Sequence, residues 1–217
     1  MFAERFLQPE LLDHAEPEEA RRNLADLVRI NRMFGGHAVI RRALARVVRN
    51  DQTFSLLDIG AASGDSARVI RKRYPAASVT NVDSNRVNLG AAPMPKLVAN
   101  AFQLPFRPDS FDYVLCSLFL HHFDDGQVIE LLRSFYGLAR CALVICDLER
   151  HVLPYLFLAA SKPLFRWGRI TVHDGLISVR ASFRPRELLD LAAAAGVRNA
   201  SIRSYRPAFR LSMVAMK

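Results

Sequence analysis

Lysine is scarce in this chain: four residues, against 26 arginines, in 217 positions. The net charge of +9 is therefore carried by arginine. It is spread through nearly every segment, with RKR at 71–73 as the densest cluster. Such dispersion favours a solvated surface over a phosphate-tracking groove, and leaves open an acidic membrane surface or an acidic partner. Cysteine is limited to Cys116, Cys141 and Cys146. An odd number without ligand spacing argues against a disulfide framework or zinc knuckle and predicts buried free thiols. No apolar run reaches the ~18–20 residues that span a bilayer. The opening MFAERFLQPELLDHAEPEEARR lacks the basic-then-apolar pattern of a secretory leader, so a cytoplasmic location is the expectation. Low-complexity tracts and internal repeats are missing. With 51% hydrophobic and 24% charged residues, the composition is that of a globular chain, and the length suits one domain over 1–217.

Hydrophobic periodicity predicts two helices over 17–34 and 36–49, broken at Gly35–Gly36. Strands follow at 54–59, 78–82, 96–99, 111–117 and 141–148, with helices at 65–74, 85–90 and 125–139 between them. Pro75 ends the first of these helices. The pattern of 150–170 is irregular and contains Pro154 and Pro163. A helix at 185–195 and strands at 197–204 and 208–216 close the chain. The strands at 54–59, 111–117 and 141–148 are continuously apolar, as in a parallel sheet covered by helices on both faces. The short link at Arg206–Pro207 makes the last two strands an antiparallel hairpin. The expected fold is α/β: a doubly wound, Rossmann-like, seven-stranded and mainly parallel sheet. Around it we expect an N-terminal helical cap (1–50), a core (51–148), a lid after the fifth strand (149–184) and a C-terminal helix and hairpin (185–217).

The most informative stretch is FSLLDIGAASGD at 54–65: a buried strand ending in Asp58, then a tight turn with Gly60 and Gly64. A second apolar run ends in another acid, Asp83. Strand, turn, helix and strand-end acid together hold an adenosine-bearing cofactor in α/β folds. A dinucleotide fingerprint would require glycines where Ala62 and Asp65 stand, which disfavours NAD and FAD. A P-loop is excluded, because no Gly-Lys-Ser/Thr follows the strand.

The register Asp58-x-Gly60-x-Ala62-x-Gly64 resembles the first motif of the class I S-adenosylmethionine-dependent methyltransferases, with Ala62 in place of the middle glycine. The likeness runs over roughly 54–148 and is nearest to the small-molecule and quinone-biosynthesis group. It implies S-adenosylmethionine as cofactor, held by Asp58, Gly60, Ala61, Ser63 and Gly64 around the methionine end. A helix N-terminus there favours the cofactor's carboxylate. By the same resemblance Asp83, with Ser84, receives the ribose hydroxyls. Asn100, Ala101 and Phe102 in VANAFQLPF lie beside the adenine, Asn100 standing where Asp is usual. Cys116 and Ser117, in FDYVLCSLFLHHF, flank the transferable methyl.

A phenol of pKa about 10 must lose a proton to be methylated, which at pH 7 costs roughly 4 kcal/mol that a nearby base can offset. His121 and His122 follow the strand end facing the methyl and are the candidate bases, His121 first. His173 beside Asp174 is a second candidate. No metal is expected. The segments DLVRINRMFGGH (26–37) and TVHDGLISVRASFRP (171–185) resemble blocks of a bacterial subgroup that close over the active site. Asn31, Arg32, Phe34, Tyr155 and Trp167 are accordingly candidate substrate contacts. The apolar, aromatic run at 150–170 suits a lid for a greasy acceptor, and one that touches a membrane surface. The expected function is methyl transfer to a small hydrophobic acceptor (phenol, quinone precursor or polyketide), with O-transfer slightly ahead of C-transfer. Two rivals are weighed. A nucleic-acid methyltransferase is encouraged by a pI near 10.1, but Pro-Cys, Asp/Asn-Pro-Pro-aromatic and any dedicated nucleic-acid module are missing. A cofactor-binding scaffold without catalysis rests on Ala62 and Asn100 alone. Oligomeric state is left open.

Overall fold

The computed structural model describes residues 2–217. After a 3-10 turn at Leu11–His14, α1 (Pro17–Met33) and α2 (Gly36–Leu44) precede the sheet. The core then alternates strand and helix: β1 (Phe54–Ile59), α3 (Asp65–Arg73), β2 (Ala77–Asp83), α4 (Arg86–Leu89), β3 (Lys96–Val98), β4 (Phe111–Ser117), α5 (Asp125–Leu138) and β5 (Ala139–Leu148). Next come α6 (Val152–Phe165), α7 (Arg169–Ala181), α8 (Pro185–Ala194), β6 (Ala200–Tyr205) and β7 (Arg210–Met216).

The strands lie in the order β3-β2-β1-β4-β5-β7-β6. The first five run parallel, β1 pairing with both β2 and β4. Strand β7 returns antiparallel between β5 and β6. This is the seven-stranded, mainly parallel sheet with a terminal hairpin that the apolar runs predict.

Both faces of the sheet are covered, which is why its central strands can be apolar throughout. On one face Leu57, Ile59, Val114, Leu143 and Ile145 pack under α5 and α8. On the other, Leu56, Val79, Leu115 and Val144 pack under α2 and α3 through Ile40, Leu44 and Ile70. Alternate residues of one strand thus serve opposite cores. Helix α5 begins at a capping box: the Asp124 side chain accepts from Gln127 N, and the Gln127 side chain accepts from Asp124 N. That exchange satisfies two otherwise orphaned donors.

One expectation is corrected. The stretch 150–170 is not irregular: most of it is α6, a 14-residue helix. Pro154 sits in its first turn, where the missing N–H has no intrahelical acceptor to lose. Pro163 falls in the last turn, and the helix stops at Arg166, which adopts φ 55°. Two prolines therefore mark the ends of a helix rather than prevent one. Helix α7 packs against it, so the segment expected as a lid is a helical pair.

The Phe135 ring is fully buried between α5 and the sheet. Truncation there leaves a cavity, and Phe135→Ala should cost about 3–5 kcal/mol in urea unfolding. An unchanged midpoint would contradict the packing described.

Candidate active site

Strands β1 and β4 are neighbours, yet the chain leaves their carboxyl ends in opposite directions, toward β2 and toward β5. A crevice opens at that divergence, where α/β sheets bind ligands. Three strand ends there carry an acid: Asp58 on β1, Asp83 on β2 and Asp147 on β5.

The turn after β1 requires left-handed backbone: φ is 71° at Gly60, 45° at Ala62 and 72° at Gly64. Glycine adopts this freely, whereas alanine at Ala62 bears roughly 1 kcal/mol of strain. The turn is tied down by Ala61 N to Val82 O (2.9 Å) and by Ala62 N to the Asp83 carboxylate (2.8 Å). A side chain at Gly60 would meet the Phe119 ring at 2.6 Å. The chain therefore needs glycine twice here, for the turn and for the aromatic ring lying against it. A cavity of about 250 Å³ opens beside this turn, lined by Gly60, Asp83, Ser84, Asn100, Ala101 and Phe102 and walled by Phe119 and Phe123.

The acceptors around the cavity are underused. Asp83 takes one backbone N–H on each oxygen, from Ala62 and Asn85 (both 2.8 Å). A second lone pair remains on each. Asn100 Oδ1 accepts from Phe102 N (3.0 Å) and has capacity for one more donor. Beneath the turn Asp58 is buried, and its Oδ2 has no partner. Burial, then the nearby Asp83 and Asp65 carboxylates, push the Asp58 carboxyl up to about 8. A group of acceptors around an adenosine-sized cleft, with one unpaired oxygen under the turn, fits a ligand rich in hydroxyl, amine and ammonium donors.

A second constellation lies across the β4–β5 ends. The chain leaves β4 through Leu118, at φ 53°, and enters the 3-10 turn Leu120–His122. There His121 is buried, with Nδ1 2.7 Å from Asp147 Oδ1. Burial disfavours the imidazolium, but the charge and hydrogen bond of Asp147 more than offset it, so His121 sits above its ordinary 6.5. Asp147 is correspondingly held down: burial opposes its charge, and His121 overcomes that penalty. The His122 ring is 4.3 Å from that of His121. Burial first, then the neighbouring imidazole, push His122 down to about 3. Glu10 completes the group, since a ring nitrogen of each histidine and a Glu10 oxygen lie within 4.8 Å of one another.

Residues 57–140 match the family described as Methyltransferase domain. No curated protein matches the chain. Among solved structures, the plantazolicin methyltransferase BamL, in complex with a triazolic desmethylPZN analog and SAH, superposes with TM-score 0.69 at 14% identity, covering 95% of this chain and 92% of that one. Human N-acetylserotonin methyltransferase in complex with SAM gives 0.64 at 17% identity, over 92% of this chain and 56% of that one. A provisionally assigned O-methyltransferase of Nostoc punctiforme PCC 73102 gives 0.61 at 19% identity, and this chain spans 60% of its length. The motif register, the strand order and the family match agree. Residues 57–140 thus match a methyltransferase domain, and the chain shares the fold of the solved methyltransferases.

The residues expected at the cofactor lie close together at the carboxyl ends of β1 and β2. Asp58 lies on β1 beneath the turn of Gly60, Ala61, Ser63 and Gly64, while Asp83, Ser84, Asn100, Ala101 and Phe102 border the cavity. Cys116 and Ser117 end β4. The Cys116 thiol is buried and, by that burial, raised well above its ordinary value. The other expected residues separate. His173 is half exposed and pairs with Asp174, apart from the His121 group. Asp174 in turn accepts from Leu11 N and Leu12 N (both 2.9 Å), so it anchors the N-terminal segment. Asn31 Oδ1 accepts from Arg210 Nη2 (3.0 Å), whereas Arg32 is exposed. Phe34 joins Phe157, Phe165 and Trp167 in an aromatic cluster between α1 and the lid. Tyr155 packs on Phe2 instead.

Four residues were missed by sequence reasoning: Asp147, Glu10, Phe119 and Phe123. Asp147 had a signal, because CALVICDL ends in an acid just as the β1 and β2 runs do. Glu10 had none.

The Asp58 carboxyl gives a test. Its folded value, about 8, lies above the ordinary 3.8. The folded state therefore holds that proton more tightly, and stability from this group is full below about 3.8 and is lost as pH rises through about 8. Urea midpoints of Asp58→Asn should gain on the parent between pH 5 and 9. Parallel pH profiles would contradict the assignment.

Proposed function

We propose that this methyltransferase transfers the methyl group to a small hydrophobic acceptor bearing a hydroxyl, with His121 as the base. The observation that carries this reading is the buried His121–Asp147 pair at the carboxyl end of β4, next to the cofactor crevice. S-adenosylmethionine supplies a methyl already activated on a sulfonium, so the protein's task is to hold, align and deprotonate.

The chain's own residues suit those tasks. Asp83 offers its spare lone pairs to the ribose hydroxyls, and Asn100 Oδ1 offers one to the adenine amine. The unpaired oxygen of Asp58 stands ready for the cofactor ammonium, which would also return that carboxyl toward its ionised form. Asp147 accepts the Nδ1 hydrogen of His121 and leaves Nε2 as the basic site. The acceptor's hydroxyl proton would pass to Nε2, and Asp147 would hold the imidazolium that results. His122, kept neutral by its surroundings, cannot compete for that proton below neutrality.

Glu10 and the N-terminal segment cover this pair. Arg5 fixes that cover, donating to the carbonyls of His121 (3.3 Å) and Phe123 (2.7 Å) and pairing with Asp125. Acceptor entry therefore requires the segment to lift, a gating step of the kind that sets many turnover rates. Apolar walls at Phe119 and Phe123, and the aromatic cluster under the lid, favour a planar apolar acceptor such as a phenol, a hydroxyquinone or a polyketide.

The test is turnover on a panel of those acceptors, read as S-adenosylhomocysteine formed. His121→Ala and Asp147→Asn should each lower kcat by about 10²-fold or more while leaving S-adenosylhomocysteine affinity nearly unchanged. Because the base must be neutral, kcat/KM of the parent should rise with pH through a value above 6.5. Unchanged turnover in both variants would overturn the base. Methylation of RNA but of none of the panel would overturn the acceptor class.

A further inference from the structure

Helix α6 presents a face that a water-exposed helix does not ordinarily carry. Its inner residues, Tyr155, Leu158, Ser161 and Phe165, recur at helical spacing and are shielded to differing degrees. The outer side is apolar as well: Leu153 is 53% exposed, Leu156 55% and Leu164 77%. A helix apolar all round is normally buried, and an exposed patch of this kind marks a contact surface. At 14 residues, about 21 Å long, α6 is too short to cross a bilayer. No described helix is long and apolar enough to do so.

The charge carried by the α6 segment itself is of one sign, and the acids packed around it, Asp26, Glu149 and Glu187, are each paired with an arginine. From Arg150 to His173 the sequence contains no Asp or Glu. Lys162, Arg166 and Arg169 stand exposed at the carboxyl end of the helix, and none of them forms an ion pair among the described residues. At the other end Val152 borders a cavity of about 670 Å³, larger than the cofactor cleft, lined also by Arg184, Arg186 and Arg206. Arg206 is spent on Glu149 (2.6 Å). Deeper in the wall, Arg150 is spent on Glu187 and on the carbonyls of Phe2, Ala3 and Ser182. Arg184 gives one nitrogen to Phe2 O, and among the described residues neither it nor Arg186 forms an ion pair. Free guanidinium donors therefore face a cavity at one end of an exposed apolar helix, and further free cations close the other.

We propose that α6 and the adjoining arginine-lined cavity form a docking surface for an anionic phospholipid bilayer. The helix would lie in the interface with Leu153, Leu156 and Leu164 among the acyl chains, and Arg184 and Arg186 would take lipid phosphates by bidentate hydrogen bonds. Charge complementarity selects this occupant. A second copy of the chain would bring like-charged helix ends together, whereas an anionic membrane meets cations at both ends. The inference stands apart from the acceptor and base assigned above, because partitioning needs no turnover.

Co-sedimentation of the full chain with vesicles tests it, using phosphatidylcholine alone and phosphatidylcholine mixed with phosphatidylglycerol. Binding to the anionic vesicles should exceed binding to the neutral ones by roughly tenfold or more, and should fall as salt rises. The double variant Leu156→Asp, Leu164→Asp changes only exposed side chains and should lose that binding by a similar factor. Its S-adenosylhomocysteine affinity should stay at the parent value, which checks that it folds. Lys162→Gln with Arg186→Gln should weaken binding to anionic vesicles alone. The proposal fails if anionic vesicles are not bound at low salt, or if the Asp variant binds them as the parent does. It also fails if light scattering finds a dimer that the Asp variant dissolves, since a second copy would then be the occupant.

Discussion

Two adjacent parallel strands that must send their chains to opposite sides leave a gap that no crossover helix can close. In this protein that gap lies between β1 and β4, and the strand-end acids are arranged around it. Three strand-end acids are drawn to the crevice, where an isolated carboxylate is costly to keep charged. Each resolves the cost differently. Asp83 takes backbone N–H groups, Asp147 takes an imidazole, and Asp58 keeps its proton. The different environments leave the three carboxyls in different states, and the proposed roles, two in binding and one in orienting a base, rest on that difference.

The layers outside the sheet are tied back to the same gap. The N-terminal segment holds the β4–α5 turn through Arg5 and is itself held by Asp174 of α7. The His37–Asp65 contact (2.7 Å) joins the start of α2 to the start of α3, immediately after the cofactor turn. Arg210 of β7, buried and brought down to about 10 by that burial, donates to Phe34 O and Asn31 Oδ1 and so links the sheet to the end of α1. The cover over the crevice is thus fastened at several polar points, while the lid's outer face is left apolar.

Much of this was legible in the chain. The continuous apolar runs point to the parallel strands, and the glycine register with Asp83 points to the tight turn and the cavity beside it, because both patterns are local. What was illegible depended on contacts between distant segments. Glu10 reaches the histidine pair, 3.6 Å from His122 Nδ1, only because α7 holds the N-terminal segment across the β4–α5 turn, and no spacing encodes that. His173 looked equivalent to His121 as a histidine beside an acid, yet the fold spends Asp174 on backbone donors and leaves His173 half exposed. The prolines of 150–170 are a different case: Pro154 occupies the first turn, where no N–H bond is lost, and Pro163 lies inside α6 only two residues before its end, so neither prevents the helix.

The central claim is that one crevice holds the methyl donor and presents it to the His121–Asp147 pair. The most direct measurement is a crystal structure of the full chain grown with S-adenosylhomocysteine. The account predicts the ribose against Asp83, the adenine beside Asn100 and Phe102, and the sulfur facing the turn that carries His121. Density for the ligand elsewhere on the sheet, or a sulfur directed away from that turn, would contradict it.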